Sequence, residues 1–155
     1  LNIPYRDSSV QITAEMKTRI IKKVIGFFPD SPISEYWDTV VTRARSAGIN
    51  PAFALALWIE ESGASSTRIG SFSGWGCNPS VKQTVSQSLD CFIKTTVNSP
   101  PSPDFAKWAG NYCGTPAPGF QVCTMNTAGH DNKNFLVNLN SWYNEFGVAK
   151  LKGVD

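Results

Sequence analysis

The stretch NPAFALALWIEESGAS, Asn50 to Ser65, decides the fold. Asn50 is a cap residue, whose side chain accepts an orphan N–H, and Pro51 suits a first helical turn, where its missing donor goes unneeded. Ala52 to Ile59 are all apolar. A helix with no polar stripe is buried on every side, so this one is predicted to run through the middle of the domain. Glu60 and Glu61 follow, then Ser62 and Gly63, and glycine is the residue type that enters the left-handed conformation and stops a helix. The expectation is a buried central helix that ends in two acids.

Such an ending is locally unfavourable. The last turn of a helix carries partial negative charge and prefers Lys or Arg, by roughly 0.3–1 kcal/mol for an exposed group. A carboxyl there, with Leu57 and Trp58 one turn back, is desolvated and faces the negative end of the helix, and both effects raise its pKa. A raised carboxyl pKa is what a general acid working near neutral pH requires. The bland alternative is that the helix surfaces here and both acids are solvated. Glu61 follows Ala54, Leu57 and Trp58 at helical spacing, and Glu60 follows Phe53, Ala56 and Leu57, so spacing leaves the choice between them open.

Upstream, Thr13 caps a predicted helix through Ile25 that Gly26 ends, with Ile20, Ile21, Val24 and Ile25 as its apolar face. Ser31-Pro32 repeats the cap-then-proline signature, and Tyr36, Trp37, Val40, Val41 and Ala44 recur at helical spacing until Ala47 and Gly48. Short connections favour a compact α domain whose successive helices are neighbours. Downstream, Gly63 to Pro79 has no helical period and too many breakers for a long strand, so a loop or short hairpin lies beside the acids. Its Trp75 either folds onto the core or stacks on a sugar ring, whose C–H face is apolar. Ser80 or Thr84 starts a fourth helix through Val97, with Val85, Leu89, Phe92, Ile93 and Val97 inward, and the NSPPSP run breaks it. A short helix carries Phe105 and Trp108, and the last, from about Asn134 to Phe146, buries Phe135, Leu136, Leu139, Trp142 and Tyr143 before Gly147.

At 155 residues the chain suits one domain, 1–155, with a real core. A net charge of +2 and a pI near 8.4, without Lys/Arg runs, exclude a nucleic-acid binder and allow a weak attraction to anionic wall polymers. No apolar run approaches a membrane span and no charged-then-apolar leader is seen, so a soluble monomer is expected. Cys77, Cys91, Cys113 and Cys123 form no CxxC pair and His130 is the only histidine, so neither a zinc site nor any cofactor is expected. Disulfides are the better reading. Of three connectivities the least demanding pairs neighbours, Cys77 with Cys91 and Cys113 with Cys123, each contributing roughly 2–4 kcal/mol by restricting the unfolded chain. Disulfides imply an oxidising, extracytoplasmic setting, secreted or at the cell surface. His130-Asp131 is no catalytic dyad, because adjacent residues in a polar turn do not orient each other and no nucleophile context occurs.

An apolar helix running into Glu-Ser, then small residues and a Gly-rich loop, resembles goose-type lysozymes and soluble lytic transglycosylases. Within that superfamily the likeness is to small secreted bacterial lysozyme-like or endo-β-N-acetylglucosaminidase-like domains. It is carried by NPAFALALWIEESGAS, GC, LDCF and NFLVNLNSWY and covers about Ile3 to Phe146. The resemblance implies a mainly α, lysozyme-like domain built around the central helix, with a small irregular or β segment after it. It implies Glu61, directly before Ser62, as the catalytic acid, with Glu60 as second choice. It implies that the Gly-rich segment walls the sugar groove. Family members often carry a Gln there that this chain lacks, and Asn78 is the substitute. Asn111-Tyr112-Cys113-Gly114 is similar to the family's Tyr-Asn-Ala-Gly segment with Asn and Tyr in the opposite order, which makes Tyr112 the candidate for orienting Glu61.

The function so implied is cleavage of β-1,4 bonds in peptidoglycan or a related amino-sugar polymer such as chitin. No second carboxylate of catalytic context follows Glu61, since Asp90, Asp104 and Asp131 read as helix-surface or turn residues. A retaining mechanism needs a second carboxylate about 5 Å away and an inverting one roughly 6.5–9.5 Å away, so a single-acid transglycosylase yielding a 1,6-anhydro product is favoured. The alternative class is a non-catalytic glycan-binding module on the same fold. The missing Gln favours it, whereas an acid at a buried helix terminus does not.

Overall fold

A computed structural model of the chain describes residues 3–65, 74–77, 82–97, 105, 108 and 132–147, with side chains from 137 onward in the last stretch. The architecture is mainly α. The described helices are α1 (Ala14–Phe27), α2 (Ile33–Ser46), α3 (Pro51–Ser62), α4 (Val85–Val97) and α5 (Asn132–Glu145), and no strand occurs among the described residues. Phe105 and Trp108 are helical. No described helix is long and apolar enough to cross a membrane.

α3 is the axle. Every residue from Pro51 to Ile59 is buried, and α2 and α5 pack on it. Asn50 makes this arrangement possible, because it is itself fully buried and all its polar atoms are satisfied. Its Oδ1 accepts from the Ala52 and Phe53 N–H groups at 2.9 and 3.2 Å. Its Nδ2 donates to the Pro4 carbonyl at 3.2 Å and to the Tyr143 hydroxyl at 2.9 Å. One side chain thereby caps α3 and ties it to the N-terminal segment and to α5. The Asn50 N–H adds a bond to the Tyr5 carbonyl at 2.8 Å. Ile3, Tyr5 and Val10 of that segment lie in the same core as the helices.

Thr13 caps α1, its hydroxyl accepting from Met16 N–H at 3.1 Å. The helix runs on through Gly26 to Phe27, past the expected stop. Gly26 faces open space, and one glycine in a helix costs about 1 kcal/mol against alanine, too little to end it. The buried face is Met16, Ile20 and Val24, with Ile21 and Ile25 half-buried at its edge. α2 buries Ile33, Trp37, Val40 and Ala44, with Tyr36 and Val41 at the margin.

α4 begins at Val85 behind Thr84, whose hydroxyl accepts from Gln87 N–H at 3.1 Å while Gln87 Oε1 accepts from Thr84 N–H at 2.9 Å. This is a reciprocal capping box. Its inward face is Val85, Ser88, Leu89, Phe92 and Thr96, whereas Val97, expected inside, is 39% exposed. The two buried hydroxyls each serve a donor: Trp75 N–H donates to Ser88 Oγ at 3.0 Å, and Trp108 Nε1 to Thr96 Oγ1 at 3.1 Å. Cys91 on α4 is bonded to Cys77, as expected from their spacing. Cys113 and Cys123 lie outside the described residues.

Candidate active site

α3 delivers its acids to a sharply turned end. Gly63 takes the left-handed conformation (φ 66°), its N–H bonding Ile59 O at 2.7 Å, and Ala64 N–H reaches back to Trp58 O at 3.0 Å. Ala64 is also left-handed, at φ 54°, a strained choice for a residue with a Cβ. It is buried, and Ser31 Oγ holds its carbonyl at 2.6 Å. Two consecutive left-handed residues fold the chain back on the helix it has just left. Trp58 Nε1 then donates to the Ser65 carbonyl at 2.9 Å and closes the turn.

Ser62 knots this end to the Gly-rich segment. Its Oγ lies 2.7 Å from the Gly74 carbonyl and 3.3 Å from the Trp58 carbonyl, and it accepts from Ser65 N–H at 3.1 Å. The next residue, Trp75, is fully buried. Its ring stacks on Trp58 at 4.8 Å and 12° and on Phe92 at 6.2 Å and 17°, and its Nε1 donates to the Ala54 carbonyl at 2.9 Å. Both faces and the indole N–H are engaged in the core, so sugar stacking, one of the two expectations for Trp75, is corrected. Trp75 instead pins the 74–77 turn to the side of α3 that also carries Ala54, Trp58 and Glu61. The Cys77–Cys91 disulfide fastens the far end of the turn to α4.

Gly76 brings the backbone of that turn onto the acid. It is left-handed (φ 70°), and a Cβ on it would sit 2.5 Å from Glu61 Oε2 and 3.0 Å from its Cδ. The left-handed backbone favours glycine, and without a side chain the chain lies flat against this carboxyl. Burial, and behind it the neighbouring charge of Glu60, raises the Glu61 pKa from 4.5 to about 8. Burial also raises Glu60, to about 7, opposed by a hydrogen bond from the Asn138 side chain of α5. As whole residues both acids keep a minor part of their surface in water, and the Glu61 carboxyl is the more deeply buried of the two. No described residue gives Glu61 an ion pair or a hydrogen bond.

No protein-family model, no curated protein and no solved structure matches the chain. The site is therefore read from its own chemistry. It holds two neighbouring carboxyls, both raised by burial, and the residues that follow them, Ser62 and Gly63, line a cleft. That cleft, of about 370 Å³, runs between Phe27, Phe28, Asp30 and Ser31 on one side and Ser62 and Gly63 on the other.

Of the residues expected at the site, Glu61 and Ser62 are together at the end of α3, while Asn78 and Tyr112 lie outside the described residues, as does His130. Asp90, considered as a second carboxylate, is mostly exposed on α4 and paired with Arg43 of α2. Sequence reasoning passed over Gly76 and Asn138. The first was visible only as one breaker among many, and the second as an ordinary polar residue on a helix face.

Proposed function

We infer that this chain is a glycosidase-type enzyme that cleaves β-1,4 bonds of peptidoglycan outside the cytoplasm, with Glu61 as its general acid and then its base. The observation that carries this reading is the Glu61 carboxyl itself, ending a buried helix, pressed against Gly76 and raised to about 8 by burial and Glu60. Such a group is protonated at neutral pH and gives up its proton when negative charge develops beside it. It protonates the glycosidic oxygen, and the electron pair of the breaking C–O bond stays on that oxygen. The carboxylate left behind stabilises the oxocarbenium ion and takes a proton from the attacking hydroxyl. The Cys77–Cys91 disulfide supports an oxidising compartment, where wall polymers are found.

The attacking group is the muramic 6-hydroxyl rather than water. Two carboxylates have other partners: Asp90 is engaged by Arg43, and Glu60, next to Glu61 in sequence, is hydrogen-bonded to Asn138 of α5. An inverting hydrolase requires a carboxylate across the sugar that holds a water, and in this cleft that role would fall to Asp30 of its wall.

Digestion of purified cell walls tests both statements. Glu61→Gln is expected to lower lysis by about 10²–10⁴-fold, the usual contribution of a positioned general acid, while Glu60→Gln keeps most of it. The reverse pattern moves the acid by one residue. Mass spectrometry of the digests is expected to show 1,6-anhydro ends, and fragments ending only in reducing muramic acid would make the enzyme a hydrolase.

A further inference from the structure

Large apolar side chains are normally withdrawn from water, yet Phe27 is 66% exposed and Phe28 42%, side by side at the end of α1. Their ring centroids are 6.3 Å apart. Phe27 also meets Trp142 of α5 edge to face at 6.5 Å and 88°. Lys23 lies 5.2 Å from the Trp142 ring centroid and pairs with Glu145 at 2.6 Å, which fixes that indole in place. An open aromatic cluster is thus built from two helices, and its two phenylalanines form one side of the cleft.

Two lines of contact connect this cluster to the acids. Along α5, Asn138 hydrogen-bonds Glu60, and Trp142 is one helical turn further on, on the same face. Across the end of α3, the Phe28 ring lies directly on Gly63, where a Cβ would come within 2.6 Å of it. Gly63 follows Glu61 by two positions. The cleft thus begins at the residues that directly follow Glu61, with Ser62 and Gly63 in its lining.

We propose that the cleft beside Phe27 and Phe28 is a subsite for one neutral N-acetylhexosamine ring of the polymer strand that passes Glu61. The assignment rests on the glycosidase reading above and names where the strand is gripped. A β-linked pyranose has an apolar C–H face that packs on the negative face of an aromatic ring, and a rim of hydroxyl and amide groups. The cleft matches both, with aromatic rings on one side and the Asp30 carboxylate and the Ser31 and Ser65 oxygens as acceptors around them. The lining is mixed, with Phe27, Phe28 and Pro29 as its apolar part and Asp30, Ser31, Ser62 and Ser65 as its polar part, which suits a sugar better than a wholly apolar ligand.

The test is calorimetric titration with chitotetraose, a soluble β-1,4 tetramer of N-acetylglucosamine, in Glu61→Gln protein so that binding is separated from cleavage. Adding Phe27→Ala is expected to weaken binding roughly threefold to tenfold, the value of one aromatic stacking contact. Phe27 is mostly in solvent, so its removal leaves the core intact. Phe27→Trp is expected to hold or tighten binding, and Val97→Ala, an exposed apolar site on α4, to leave it unchanged. Equal affinity with and without Phe27 overturns the subsite while leaving Glu61 as the acid if lysis is lost in Glu61→Gln. Absence of binding in the parent also overturns it. Self-association that Phe27→Ala abolishes, with sugar affinity unaltered, would make the patch a contact between copies of the chain and overturn the subsite as well. Binding that depends on Phe27 in a protein whose wild type cleaves no wall supports the sugar site and removes the chemistry.

Discussion

The two ends of α3 are built to opposite rules. At the first, Asn50 is buried and every polar atom it brings is answered: two backbone donors, one carbonyl and one hydroxyl. At the other, Glu60 and Glu61 bring two carboxyls to the negative end of the helix dipole with no cation in the last turn. There burial raises both acids instead of being offset. The first end is what a sequence selected for stability looks like. The second is what a general acid needs, and such sites are commonly less stable than an inert replacement would be. On the proposed reading, the N-terminal end of the helix serves folding and its C-terminal end serves chemistry.

Substitutions at the two ends should therefore have opposite signs. Asn50→Ala removes a cap and leaves buried partners unanswered, and is expected to destabilise the fold by about 2–4 kcal/mol, read as a shift in the denaturant midpoint. An unchanged midpoint would break the contrast. Glu61→Gln should act the other way, increasingly as pH rises above about 4.5. The folded-state pKa of Glu61 lies above the unfolded value, so the folded chain holds the proton more tightly. Its stability relative to the variant is therefore undiminished below about pH 4.5 and falls as pH rises towards 8. Wild type and Glu61→Gln should melt together at pH 4, and at pH 9 the variant should be more stable by roughly 1–3 kcal/mol.

How far these features could be read in advance depended on their range along the chain. Asn50-Pro51 and Gly63 mark the bounds of α3 to the residue, because capping and left-handed termination are settled by neighbouring atoms. The same local logic failed at Gly26, where packing of α1 outweighs the small cost of one glycine, and at Val97, where the buried position belongs to Thr96 because Trp108 needs an acceptor. The acid pair at a buried helix terminus was legible in the sequence, and the resemblance alone singles out Glu61 of the two. Its immediate surroundings were not legible, since Gly76 approaches from another segment and Asn138 from the last helix. Trp75 could be recognised as one of two things, and a partner across sequence, Trp58, decides between them. The exposure of Phe27 and Phe28 left no trace in the pattern, because a helix face turned to water differs from one turned to a neighbour only once the neighbours are placed.

The claim on which the account turns is that Glu61 is a carboxyl held protonated at neutral pH. Carbon-13 NMR of the glutamate side-chain carboxyls, followed from pH 3 to 10 and assigned through Glu61→Gln, measures it directly. The Glu61 signal should titrate near 8, and in Glu60→Gln it should move down, because one cause is removed, yet stay well above 4.5, because burial is the larger cause. A Glu61 that titrates in the ordinary carboxyl range near 4.5 in both proteins would contradict the account.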